Sequence, residues 1–327
     1  MLKKVLIAVA GVGGLALASY CYARIKERRS YRSFLLELKL RASGMKKPFT
    51  NISDAQVALD KVSPHTKGLF QDIDYNFKHK ADKLEVKGST VYVVNNLENR
   101  QQSVVLYIHG GAWFQDPIKP HFEYIDELAE TLNAKVVMPV YPKVPHADYR
   151  ATFDLLETLY KQLLKSVEHN HQLLLSGDSA GGQIALAFAQ QLKQLHLPQP
   201  SNIILNSPVL DATFSDPEAK VYEQFDPMIG IEGSKFFLEL WAGDKDLSDW
   251  QISPINGDLT DLGHITINIG TKETLYPEAL KLSYKLQELG IAHDFVPGYN
   301  LYHIYPIFPL PERQTFLRQL KQIVNKH

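Results

Sequence analysis

From Ser103 onward the chain alternates two kinds of apolar spacing. Short unbroken apolar runs such as Val104-Val105-Leu106-Tyr107-Ile108 give way to longer stretches in which apolar residues recur every three or four positions. The first spacing marks a strand buried on both faces and the second an amphipathic helix. It predicts strands over 103–108, 135–139, 172–176, 202–206, 264–270 and 293–296, with helices over 121–132, 148–167, 183–192 and 277–289 between them. Strands alternating with helices in this way build a mostly parallel central sheet with helices on both faces, the α/β class. With 327 residues, 45% of them hydrophobic, the chain is long enough to bury such a core as one large domain rather than two equal ones.

Two stretches break the rhythm. Residues 31 to about 85, and an insert from 213 to about 249, contain helical pieces and many aromatics but no clear strand. Trp113, Phe225 and Trp241 are candidate substrate-binding residues; aromatics at helical spacing fit plain core equally well, and the spacing does not choose between them.

The first 30 residues have another pattern. Val5 to Ala23 is an uncharged run preceded by Lys3 and Lys4 and followed by Arg24, Lys26, Arg28, Arg29 and Arg32. Its length approaches the roughly 20 residues that cross a bilayer as a helix, so a single-pass membrane anchor with a basic flank is expected over 1–30. A secretory signal cleaved after Ala16-Leu17-Ala18 is the alternative, and it would give a secreted protein. On the anchor reading, the domain spans 31–327 and a chain lacking residues 1–29 is expected to be soluble and active. Lys and Arg total 35 against 36 Asp and Glu, a net charge of −1, so the charge balance offers nothing to a nucleic acid. Cys21 is the sole cysteine, which excludes an intrachain disulfide. The 12 histidines show no His-Glu-x-x-His or Cys-pair spacing, and no metal site is expected from them.

Candidate chemistry concentrates in two glycine motifs. Leu174-Leu175-Ser176 runs into Gly177-Asp178-Ser179-Ala180-Gly181, a G-x-S-x-G turn between a strand and a helix. A serine hydroxyl is a weak nucleophile, so it needs a tight, open turn within reach of a base; Ser179 holds that position. Gly177 and Gly181 are where the turn approaches other backbone closely. Upstream, His109-Gly110-Gly111-Ala112-Trp113 directly follows the strand at 103–108. Acyl transfer builds negative charge on a carbonyl oxygen, and each preorganised backbone donor aimed at it contributes roughly 2.7–4 kcal/mol. The expected donors are the amides of Gly110, Gly111 and Ala180.

These two motifs, with Ser207-Pro208-Val209-Leu210-Asp211, resemble the hormone-sensitive-lipase-like branch of the α/β-hydrolase fold over roughly residues 85 to 327. Ala112 departs from the pattern, standing where many relatives carry a third glycine. The resemblance implies a serine esterase with a small helical cap, built here from 31–85 and 213–249, and a chain order of nucleophile, acid, histidine. His303, in the loop after the last strand, matches the family's final histidine, and Glu273 stands where most relatives have aspartate. Asp211 and Asp294 stay open as alternative acids. The implied activity is hydrolysis of short to medium acyl esters through an acyl-enzyme, with a small-molecule ester as substrate and no cofactor. An amide or arylformamide hydrolase of the same fold, and a non-catalytic binding or receptor protein on the same scaffold, are the alternatives.

Overall fold

The computed structural model describes residues 14–71 and 73–327. Its strands are β1 (Ala81–Val86), β2 (Ser89–Val94), β3 (Val104–Ile108), β4 (Lys135–Pro139), β5 (Leu173–Asp178), β6 (Asn202–Asn206), β7 (His264–Gly270) and β8 (His293–Gly298). The principal helices are α1 (Tyr31–Ser43), α2 (Ile52–Val62), α3 (Lys119–Leu132), α4 (Tyr149–Ser166), α5 (Ala180–Gln194), α6 (Glu218–Glu223), α7 (Ile231–Ala242), α8 (Tyr276–Glu288) and α9 (Pro311–Val324). The strands form one sheet in the order β1-β2-β4-β3-β5-β6-β7-β8. Pairing is antiparallel from β1 to β2 and from β2 to β4, and parallel from β4 through to β8.

The unbroken apolar runs are explained by burial on both faces. Val104, Leu106, Ile108, Leu175, Ile203, Leu205 and Ile267 enter one core, which α4, α5, α7 and α8 cover. The alternate residues Val105, Tyr107, Val136, Leu174 and Ile204 enter the other, beneath α3 and α9. A one-residue slip of any central strand would exchange its two sets of side chains between cores, so register is firmly specified. Every strand and helix expected from the spacing is present, with ends moved by a few residues. Gly177 lies inside β5, and α5 starts at Ala180 rather than 183, so Gly181 and Gly182 are helical.

The expectation of no strand before residue 85 is corrected. β1 and β2 form a hairpin joined by Lys87 and Gly88, both at positive φ (50° and 72°), the two-residue turn that matches strand twist. β1 is an edge strand of sequence ADKLEV with its middle exposed. With Lys83, Leu84 and Glu85 all exposed, both of its faces meet water, and it carries neither an apolar run nor an alternation to read.

The two irregular stretches pack against each other. Phe49, between α1 and α2, meets Phe237 of α7 edge-on at 5.9 Å, and Phe237 stacks on Phe114 at 4.1 Å. A Cβ on Gly233 would come within 2.3 Å of the Pro48 carbonyl oxygen, so α7 and the chain before α2 touch backbone to backbone. Lys46 Nζ donates to the carbonyls of Glu223 and Asp226, and Arg41 to that of Phe225.

Of the apolar run Val5 to Ala23, residues 5–13 lie outside the described residues, so the anchor expectation falls largely beyond them. Among the described residues no helix is long and apolar enough to cross a membrane. The end of the run and the basic segment after it are docked on the domain. Ala23 is fully buried, and Ser30 donates from both its amide and its hydroxyl to the Glu312 carboxylate at the start of α9.

Candidate active site

Ser179, Glu273 and His303 come from three loops at the carboxyl ends of β5, β7 and β8. Ser179 sits between β5 and α5 at φ 54° and ψ −120°, a conformation costly for any residue with a Cβ. Its surroundings hold it there. Its amide donates to the Asn206 carbonyl at 2.9 Å, and its carbonyl accepts from Gln183 at 3.1 Å and Val209 at 3.3 Å. The flanking glycines are sterically required: a Cβ on Gly177 would lie 2.2 Å from the Gly181 oxygen, and one on Gly181 would lie 2.0 Å from the Ile108 oxygen.

His303 Nε2 is 2.9 Å from Ser179 Oγ, and His303 Nδ1 is 2.6 Å from Glu273 Oε2. An ionised carboxylate can only accept, so Nδ1 carries the proton and Nε2 is left to accept from the serine hydroxyl. The other carboxylate oxygen, Glu273 Oε1, accepts from the Gly270 amide at 2.6 Å and from Ser207 Oγ at 2.8 Å. Ser207 Oγ in turn accepts from the Ile304 amide at 3.0 Å, so one buried hydroxyl ties the acid loop to the residue after the histidine.

Burial works against a charged His303, but the Glu273 charge and hydrogen bond outweigh it, and Asp226 and Asp178 add to them. The imidazole is therefore held above its ordinary pKa. Burial pushes Glu273 up, against the pull of the His303 charge. Asp226 reaches the triad from the insert. Its Oδ1 accepts from the Met228 and Ile229 amides, and its Oδ2 accepts at 2.8 Å from the amide of Thr274, next to Glu273. Of the three side chains Ser179 is the least enclosed, with its residue 7% exposed against 1% for His303 and 0% for Glu273.

The alternative acids are engaged elsewhere. Asp211 accepts from the amide and hydroxyl of Thr213 and from Ser215 Oγ, and Asp294 lies 2.8 Å from His264 Nε2.

The His109–Trp113 loop runs beside the serine, since a Cβ on Gly110 would fall 3.1 Å from Ser179 Cβ. The expected donor role of Gly110 is corrected. Its amide already donates to Asp178 Oδ1 at 2.9 Å, the same oxygen that accepts from Tyr107 Oη at 2.5 Å, while Asp178 Oδ2 lies 3.3 Å from His121 Nε2. The amides of Gly111, Ala112 and Ala180 have no acceptor among the described residues. Ala112 at φ 49° and Trp113 at φ 62° turn the loop through left-handed backbone, the kind of turn in which successive amides can face one concavity. Under the loop His109 is fully buried against Tyr141 at 4.5 Å and is kept neutral by that burial and by Lys143 and His121.

Of the three aromatic candidates for substrate binding, two are corrected, because they are core. Trp113 is buried with its indole donating to Gln183 Oε1 at 3.0 Å, which ties the loop to α5. Trp241 is core, edge-on to Tyr141 at 6.1 Å. Phe225 is half exposed and directly precedes Asp226, which holds the Thr274 amide. Ala112, Ser207, Asp178 and Asp226 were missed from sequence. Asp178 and Ser207 sit inside motifs already singled out, but their partners are remote in the chain.

Residues 105–307 match the family described as the alpha/beta hydrolase fold, and the chain belongs to that family. An esterase from Acinetobacter venetianus is 28% identical over 67% of this chain and 73% of its own length. A solved candidate esterase from Staphylococcus aureus superposes with a TM-score of 0.81 at 26% identity, covering 85% of this chain and 95% of its own. An esterase of the bacterial hormone-sensitive lipase family shares the fold, with a TM-score of 0.77 at 21% identity, covering 91% of this chain and 98% of its own.

Proposed function

For a member of this esterase-rich α/β-hydrolase family, we propose the activity of a serine carboxylesterase that cleaves short to medium acyl esters through an acyl-enzyme. One observation carries the reading: the unbroken relay from Glu273 through His303 to Ser179, at 2.6 and 2.9 Å. In this mechanism Ser179 Oγ attacks the ester carbonyl while His303 Nε2 takes its proton, and Glu273 stabilises the imidazolium. The oxyanion is received by the amides of Gly111, Ala112 and Ala180. His303 then protonates the departing alcohol, and a water activated by the same nitrogen releases the acid. Each amide aimed at the oxyanion contributes roughly 2.7–4 kcal/mol to the transition state.

Chromogenic esters of graded acyl length, with an arylformamide and an anilide beside them, test the reading. Turnover is expected with the shorter esters, and Ser179→Ala is expected to abolish it while leaving the circular dichroism spectrum unchanged. Ester turnover that survives in Ser179→Ala would refute the mechanism, and preference for the formamide would change the substrate class. We further propose that the apolar run beginning at Val5 anchors the enzyme in a membrane through the part before Ala23, which is itself packed in the domain. The protein should then stay with membranes through a high-salt wash, because apolar burial is not screened. A mature form beginning near Ser19 would instead mark a cleaved signal.

A further inference from the structure

At the amino-terminal ends of the strands, away from the triad, the fold gathers three side chains that are distant in sequence. His264 opens β7, and Asp294 is the second residue of β8, in register with Thr266. His264 Nε2 and Asp294 Oδ2 lie 2.8 Å apart. The ring of His327, just beyond the end of α9, stacks on that of His264 with centroids 3.6 Å apart and planes 13° from parallel. One ligand atom from each of the three lies within 4.8 Å of the other two.

We propose that His264, Asp294 and His327 bind one divalent transition-metal ion of the zinc type, fastening the segment after α9 to the starts of β7 and β8. The donor set argues for that class. Two imidazole nitrogens with one carboxylate oxygen suit zinc, nickel or copper, whereas magnesium and calcium are held by oxygen ligands. The charge fits too, since one carboxylate with two neutral rings half-neutralises a dication and leaves a coordination position for water.

The spacing is within reach of coordination. Bonds of about 2.0–2.2 Å at a tetrahedral centre place ligand atoms roughly 3.3–3.5 Å from each other. The His264–Asp294 pair is slightly too close for that, and the His327 nitrogen must move in by little more than an ångström while its ring turns out of the stack, so that its in-plane lone pair points at the ion. His264 and Asp294 stand on paired strands that cannot shift far. His327 lies past its helix, where the backbone adjusts at little cost. The site is also accessible, with 39% of the Asp294 side chain exposed. His293 is not a fourth ligand: its nitrogens lie 2.7 Å from Ser283 Oγ and 3.0 Å from the Ile291 carbonyl.

The test uses the full chain without a polyhistidine tag, stripped by chelator and titrated with Zn²⁺ by calorimetry and with Co²⁺ by visible absorption. One micromolar or tighter site per chain is expected, with the intense d–d bands of a low-coordinate cobalt centre and a higher Tm in the presence of Zn²⁺. His327→Ala and His264→Ala should each weaken binding at least about tenfold, and His293→Ala should not. Ester turnover should be the same with and without Zn²⁺, so the outcome stands apart from that of the esterase reading. Binding weaker than about 1 mM, or affinity unchanged in folded His327→Ala and His264→Ala proteins, would overturn the proposal.

Discussion

Replacing Glu273 with glutamine is expected to lower kcat by about 10³–10⁴ with little loss of fold, and the structure fixes why. A glutamine must turn one amide face toward Gly270 and Ser207 and the other toward His303. The Gly270 amide is a backbone donor and cannot reverse its polarity, so the glutamine oxygen is pinned to it and the NH₂ faces His303 Nδ1. That nitrogen must then accept, which moves the ring proton to Nε2 and removes the acceptor Ser179 needs. The charge-assisted bond to the imidazolium, about 1.5–3 kcal/mol, is lost as well. Together with the inverted tautomer the cost is about 4–5 kcal/mol, or three to four decades in rate. Steady-state hydrolysis of a p-nitrophenyl ester at pH 8, with circular dichroism on the same sample, measures it. Glu273→Asp keeps the charge but shortens the reach, so it should fall between the two. A folded Glu273→Gln enzyme within tenfold of the parent would refute the tautomer argument.

As the proposed base, His303 must be neutral to act, and because it is held above its ordinary pKa, kcat/KM should rise with pH through a midpoint above 6.5. Asp226→Asn removes a negative charge that favours the imidazolium, so it should move that midpoint to lower pH; an unmoved or raised midpoint contradicts the assignment. Gly181→Ala sets a Cβ 2.0 Å from the Ile108 oxygen, backbone against backbone, and should cost about 3 kcal/mol in urea unfolding, the upper end of the usual overpacking range; a parental midpoint would show that the elbow can open. Removing residues 1–29 should lower Tm below that of a chain lacking only 1–13, because Glu27 pairs with Lys272 beside Glu273 and accepts from Asn300 through its carbonyl, while buried Arg29 bridges Glu27 and Glu37. A loss of about 2–3 kcal/mol is expected, and equal melting of the two truncations would show these contacts to be idle.

Features that depend on neighbours along the chain were readable without the fold. Unbroken apolar runs announced the buried strands, and the glycines at 177 and 181 marked a turn where only a missing Cβ permits close approach, so Ser179 and the elbow were legible at once. The edge strand β1 was not, because both of its faces meet water in its middle and leave no periodicity to read, whereas the buried β2 carries the apolar run Val91-Tyr92-Val93-Val94. Glu273 and His303 could be named only through a family resemblance, and Asp211 and Asp294 stayed open until the fold gave each its own partners. Gly110 shows the limit most plainly. Its place in the motif said that its amide was available, yet Asp178, adjacent in space through the parallel pairing of β3 and β5, already holds it, and the free donors pass to Gly111 and Ala112. In the same way Trp113 and Trp241 became core, Glu27 joined Lys272, and His264, Asp294 and His327 came together. Composition and spacing record which groups a chain carries. Which donor is taken, which is left free and which charge stands beside another depend on through-space distances of a few ångströms, and those exist only once the sheet has assembled.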